Sequence, residues 1–280
     1  MTNIIEEIFI PAREYLHTKQ DDREQIIRIG RDITNCSKKL IFSLHRLDLT
    51  NGVSINDSIK NEMFKHLETI SNRLYQLNIM YGTNKNLRST ISNSIEELIE
   101  FLTFGYFLKH QQLLQFDKLI NIIKLLIKSE DYNGREKEQY FEVILFIVLL
   151  NNKDIPVELL NQVDALQIDF IDISDLLMGL FDCTGEIMKL CISNSSNNSG
   201  TLELTNTLNS YKYLKHLHQS LIILKQQFPI LSIYHGVFEI NGNYRSSLVI
   251  NKKMDVFTNS LNKIETTLID NLISDQEILQ

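Results

Sequence analysis

Four carboxylates are spaced as helical neighbours. Asp182 and Glu186 lie four residues apart in GLFDCTGEIMKLC (179–191), and Glu97 and Glu100 lie three apart in SIEELIEFLTFGYF (94–107). Either spacing stacks two side chains on one face of an α-helix. Such pairs serve as a solvated, charged face, or as hard oxygen donors. Divalent cations such as Mg²⁺ prefer oxygen ligands and keep several waters. A metal-bound water is a competent nucleophile for phosphodiester cleavage, with the metal also stabilising the leaving oxygen.

The surroundings of the two pairs differ. On a wheel of 100° per residue, Leu176, Leu180, Cys183, Ile187, Leu190 and Cys191 share a broad apolar arc. Asp175, Gly179, Asp182, Glu186 and Ser193 form a narrow opposite stripe. Read alone, this helix turns a solvated face outward. Gly179 fits that reading badly, because glycine inside a helix costs about 1 kcal/mol relative to alanine. It suits a close approach to the backbone. In the other segment Ile91, Ile95, Leu98, Ile99, Leu102 and Tyr106 form a core arc, with Glu97 and Glu100 opposite. One turn later that opposite side carries Phe101, Phe104, Phe107 and Leu108. A helix apolar nearly all round is expected to be buried, and a carboxylate on it needs a cation, a basic partner or a shared proton. Spacing alone leaves both uses open, and does not say that the two helices meet.

Other polar residues carry plainer expectations. Lys85 and Arg88 precede the acidic helix and are candidates to hold phosphate, with solvated surface as the alternative. Arg28, Arg31, Lys38, Lys39 and Arg46 read as a solvated face or as subunit contacts. Glu96 points about 100° away from Glu97 and reads as structural. Asp175 reads as a helix-start residue favoured by the macrodipole. His216 and His218 point about 200° apart on a helix, so they do not chelate together. Cys183 and Cys191 read as core.

Long helices must carry these residues. The 280 residues include only three prolines and ten glycines, few breakers for such a length. Ile26, Ile33, Leu40 and Leu47 repeat every seven residues, with Ile29, Cys36 and Leu44 between them, predicting a helix over about 22–47. Thr50–Gly52 stops it. Ser54 with Asp57 opens a second helix whose stripe is Ile59, Met63, Leu67, Ile70, Leu74 and Leu77. Further helices are expected over 86–110, 113–128, 135–150, 156–166, from Ser174 onward, 202–227 and 252–273. DYNG (131–134) breaks the fourth. Residues 1–20 read as an N-terminal extension, 193–201 as a loop, and 228–250 as an irregular segment with room for a hairpin at Asn241-Gly242. The whole is expected to be all-α, one bundle of long antiparallel helices over 1–280.

Composition narrows the function classes. Net charge is −7, and phosphate attraction needs clustered Lys and Arg, so nucleic acid is not the ligand unless a partner supplies positive surface. The three cysteines are an odd number without paired metal spacing and read as reduced thiols of an intracellular protein. MTNIIEEIFIPAREYL is not a signal peptide, having acids in its apolar stretch and no basic start. The longest apolar run, VILFIVLL (143–150), is too short to span a bilayer, so no membrane partner is expected.

Two stretches resemble a known family. RDITNCSKKLIFSLHR (31–46) is similar to the first-helix segment of the translin-associated factor X (Trax) branch of the translin family. DLLMGLFDCTGEIMKLCISNS (175–195) resembles its second diagnostic segment, around D-x-T-G-E-x-M. ISNSIEELIEFLTFGYFLK (91–109) fits the intervening helix in the right order. The resemblance covers most of the chain and is weakest over 130–168 and 228–250. It implies a translin-like helical bundle and assembly with a translin homologue into closed hetero-oligomeric shells. It also implies a Mg²⁺-dependent endoribonuclease on single-stranded RNA, with DNA as a further possible ligand, associated with RNA silencing and RNA processing. In that family Trax is the catalytic subunit, and translin does most of the nucleic-acid binding. The family's acidic positions fall on Glu97, Glu100, Asp182 and Glu186, with Glu100 and Glu186 as metal ligands; translin itself lacks the acidic pair on the third helix. The alternative is a non-catalytic partner that stabilises a translin homologue and helps bind nucleic acid. Cytoplasmic and nuclear localisation is expected. Family members often carry a basic N-terminal nuclear-localisation segment that this sequence does not show, so import is expected to use a partner or another signal.

Overall fold

The computed structural model describes residues 5–47, 55–83, 88–145, 155–196, 201–227 and 242–278. Among these residues the chain is all-α, with no strand. One turn of π-helix (Ile5–Phe9) leads into nine α-helices: α1 (Ile10–His45), α2 (Asp57–Thr83), α3 (Arg88–His110), α4 (Phe116–Lys128), α5 (Arg135–Leu145), α6 (Val157–Val163), α7 (Ile173–Ser196), α8 (Thr201–Gln227) and α9 (Gly242–Ile278). The chain forms two compact units, one of 1–98 and 115–175, the other of 99–114 and 176–280. Helices α3 and α7 each run from one unit into the other.

In the first unit α1 packs on α2, α2 on α4, and α4 on α5 and α6. The seven-residue stripe does the packing: Ile26, Ile29, Ile33, Cys36, Leu40, Leu44 and Leu47 are all buried. From α2, Met63, Leu67, Ile70, Leu74 and Leu77 are buried, and Ile59 half-buried. Each such side chain contributes roughly 1.5–3 kcal/mol of burial. The enclosed Ser71 is satisfied: its hydroxyl donates to the Leu126 carbonyl at 2.6 Å and meets Glu130 at 2.7 Å, and Lys137 closes on Glu130 at 2.7 Å. Between α4 and α5, Gly134 takes a φ of +55°, a left-handed conformation that glycine adopts without a Cβ penalty.

In the second unit α8 packs on α9, and the second half of α3 is enclosed as its composition predicts. Every residue from Ile99 to Gly105 is buried. Phe107 lies against Tyr213 of α8 with ring centroids 5.5 Å apart, and the Leu113 N–H donates to the Tyr213 hydroxyl at 3.0 Å. Phe181 of α7 meets Phe257 of α9 edge-on at 6.5 Å.

Several boundaries move. Helix α1 begins at Ile10, inside the expected 1–20 extension, with Pro11 in its first turn, where a missing N–H costs nothing. Residues 11–20 are all exposed, so no apolar stripe marks them; an existing helix propagates through them cheaply. Helix α2 starts at Asp57, where the Asn56 side chain accepts from the Ser58 N–H at 2.9 Å; Ser54 and the stop at Thr50–Gly52 lie outside the described residues. The described part of the 193–201 loop is helical, since α7 reaches Ser196 and α8 starts at Thr201. Solvent-facing Ser and Asn each cost at most about 0.7 kcal/mol, too little to stop a packed helix. Of the irregular 228–250 segment, 242–250 belong to α9. The apolar series Ile250, Met254, Phe257, Leu261, Ile264 and Leu268 gives α9 its packing face, and Gly242 of the expected hairpin position is the first residue of that helix. Residues 228–241 lie outside the described residues, as do 146–150 of the helix expected to end there.

Gly185 of α7 has open space where a Cβ would sit. Gly185→Ala is therefore expected to stabilise the chain by about 0.5–1 kcal/mol, read as a higher urea midpoint with an unchanged slope. A lower midpoint would mean that the position is crowded.

Candidate functional site

The start of α7 is fixed by a capping box. The Asp172 side chain accepts from the Ser174 N–H at 2.7 Å, and Asp175, three residues on, accepts from the Asp172 N–H at 2.9 Å. Asp175 is 1% exposed, and it also accepts from Ser92 of α3 at 2.9 Å and pairs with Arg88 of α3. Arg88 reaches Asp172 as well, at 3.2 Å. The helix-start reading of Asp175 thus captures half of its role. The other half is a buried ion pair tying the first turns of α3 and α7 together. Arg88, a phosphate-holding candidate from the sequence, is committed to these two carboxylates, with one buried guanidinium nitrogen lacking a hydrogen bond. Lys85 lies outside the described residues.

The stripe on α7 that reads as solvated is largely not. Asp175 and Gly179 are buried, Asp182 and Glu186 are half-buried, and only Ser193 is exposed. On α3, Glu100 is 7% exposed and Glu96 is 6% exposed. Glu186 and Glu100 both lie in the second unit, and so does Asp182. Between Asp182 and Glu186 on α7 lies Cys183, which is fully buried. Its thiol is pushed well above the usual range, first by burial and then by the charges of Glu100, Glu186 and Asp182. Cys191 is raised by burial to about 11. All three cysteines are free and buried, as core thiols.

Lysines neutralise the acids. Lys253 of α9 donates to both Asp182 carboxylate oxygens, at 2.6 and 2.7 Å, and lies 3.4 Å from the Met178 carbonyl oxygen. Lys189 pairs with Glu186 at 2.6 Å along α7. Glu97, which belongs to the first unit, pairs with Lys38 of α1 at 3.2 Å. Spacing singles out the acids but not Lys253. A signal for it existed: Lys253 follows Ile250 by three residues and precedes Phe257 by four, on a helix face that is otherwise core.

Among the described residues no three His, Cys, Asp or Glu side chains form a ready ligand set for one ion. Mg²⁺ does not require such a cage, since it is commonly held by one or two carboxylates and keeps its waters. The acids here are oxygen donors of the kind such an ion takes. At Asp182 a cation already stands, in the form of the Lys253 ammonium on both oxygens.

Fold and site together define an all-helical protein with half-buried acids of α7 paired to lysines. Residues 21–275 match the translin family, and the chain belongs to that family. It is 24% identical over 267 residues to the translin-associated protein X homolog of Schizosaccharomyces pombe, covering 93% of this chain and 85% of that protein. It is 26% identical over 191 residues to translin-associated protein X of Pongo abelii, and that match spans 68% of this chain but 59% of the relative. The same protein of Rattus norvegicus is 23% identical over 198 residues, with the same two shares, 68% and 59%. A solved structure described as "Crystal structure of apo-NeC3PO" aligns with a TM-score of 0.51 over 95% of this chain and 97% of that one, at 15% identity, a likeness of fold. The Trax resemblance read from R-D-I-T and D-x-T-G-E accords with these relatives, and no helix among the described residues is long and apolar enough to cross a membrane.

The ion pair joining α3 to α7 has its own test. Arg88→Met, which leaves the buried Asp175 without its cation, is expected to cost about 3–5 kcal/mol of stability, read as a lower urea midpoint. An unchanged midpoint would mean that the pair contributes nothing.

Proposed function

We infer that this chain is the catalytic subunit of a translin–Trax type complex, a Mg²⁺-dependent endoribonuclease acting on single-stranded RNA. The observation that supports the reading is Glu100, 7% exposed on the enclosed half of α3, in the same compact unit as Asp182 and Glu186 of α7. Glu100 and Glu186 would hold the metal, with Asp182 beside them and Glu97 one turn before Glu100 on α3. The bound ion would supply an activated water and charge stabilisation at the phosphodiester. The chain's own part is to hold the acids rigidly: α3 does so by being enclosed, and α7 through its capping box and the Arg88–Asp175 pair. A net charge of −7 suits a division of labour in which a translin homologue provides the basic surface for RNA, or for single-stranded DNA. Activity in both cytoplasm and nucleus accords with that partnership.

A second reading has its own support. Asp182 and Glu186 are each closed by a lysine at 2.6 Å, as expected of a subunit that stabilises a translin homologue without catalysis. The two separate in one assay. The complex purified with its partner should cleave single-stranded RNA with Mg²⁺ and not with chelator. Glu100→Gln and Asp182→Asn should each lower the rate by about a hundredfold or more while leaving assembly intact. Full activity in both variants would favour the non-catalytic subunit.

A further inference from the structure

Helices α1 and α3 each turn a polar triad into one groove of the first unit. Arg31, Thr34 and Asn35 come from α1, and Thr90, Asn93 and Ser94 from α3, both at the i, i+3, i+4 spacing of a single helix face. The helices come close there because residue 30 is glycine: a Cβ on Gly30 would stand 2.7 Å from the Ser94 hydroxyl oxygen. The groove holds about 390 Å³, at the small end of ligand pockets. Among the described residues, none of the six polar side chains makes a hydrogen bond or an ion pair. Thr34 and Thr90 are half-buried and Ser94 is buried, where polar groups usually find partners. Charged neighbours on the same helices are already spent: Asp32 on Arg73, Lys38 on Glu97, and Arg88 on Asp172 and Asp175.

The lining chooses the class of ligand. No carboxylate lines the groove to draw a cation, and no aromatic ring lines it to stack a base. Arg31 offers a guanidinium fork, which binds phosphate bidentately. The hydroxyls of Thr34, Thr90 and Ser94 are donors for further phosphate oxygens. Thr90 also lies in the first turn of α3, where the helix dipole favours negative charge. The amides of Asn35 and Asn93 both donate and accept, as the hydroxyls of a sugar do. We propose that this groove binds a phosphate group carried on a sugar and reads no base. Arg31 takes the phosphate, and the hydroxyls and amides take the remaining oxygens. Two sources share this chemistry: a free sugar phosphate, and one unit of a nucleic-acid backbone. The site is independent of the acids of α3 and α7 and goes beyond the cleavage reading.

Equilibrium binding to the full chain tests this with two probes, ribose 5-phosphate and an oligomer of abasic deoxyribose-phosphate units. Saturable binding is expected. Uridine, which has the sugar and a base but no phosphate, should not compete. Arg31 is exposed, so Arg31→Gln keeps the fold, and it is expected to weaken binding about tenfold or more, the scale of a charge-assisted hydrogen bond. Arg28→Gln removes the same charge one turn earlier on α1, outside the lining, and should cost less than about threefold. Asn93→Asp changes almost no volume, sets a negative charge beside the phosphate, and should weaken binding as well. Saturation by ribose 5-phosphate assigns a free ester, and saturation by the oligomer alone assigns a strand; either supports the site. Equal losses in Arg28→Gln and Arg31→Gln overturn it, as does competition by uridine, unchanged binding in Asn93→Asp, or no saturation by either probe.

Discussion

A carboxylate in an apolar helix sets the terms for the structure around it. Glu100 lies in a stretch of α3 buried from Ile99 to Gly105, and two further acids, Asp182 and Glu186, lie half-buried on α7 in the same unit. Concentrated negative charge out of water is costly unless a cation answers it. Lys253 answers at Asp182 and Lys189 at Glu186. Aromatic packing of Phe107 on Tyr213 and Phe181 on Phe257 holds the surrounding helices in register. The two acids of α7 are thus each neutralised by a lysine of the same chain.

A second charged cluster, in the first unit, does a different job. Asp172 caps α7, Asp175 completes the box, and Arg88 with Ser92 draws that helix start onto α3. Removing one partner of a buried pair generally costs about 3–5 kcal/mol, which makes this cluster a fixed joint. Acids in one chain therefore serve two physical ends. Those at the joint are sealed by arginine and capping bonds. Asp182 and Glu186 are held by lysines, at least one of which stays in reach of solvent.

The helical architecture was legible because burial imposes periodicity. The seven-residue stripe of α1 and the continuous apolar surround of α3 mark their packing faces without reference to any partner. The D-x-T-G-E segment located α7, and the crowded α3 told Glu100 apart from a surface acid. What failed was local. The exposed first turns of α1 have no stripe to read, and the Ser/Asn-rich end of α7 stayed helical because each polar residue costs so little. The α7 stripe reads as solvated from its own wheel; Asp175 is buried because Arg88 and Ser92 of α3 cover it, which no single helix can announce. Lys253 was missed because its partner lies 71 residues away, although a lysine between Ile250 and Phe257 on an apolar face was a visible anomaly.

The most direct test of the acidic centre is anomalous diffraction from crystals of the complex soaked in Mn²⁺. The account predicts a peak at coordination distance from carboxylate oxygens of Glu100 and Glu186, beside Asp182. A map with no peak there, at a metal concentration that supports RNA cleavage, would contradict it.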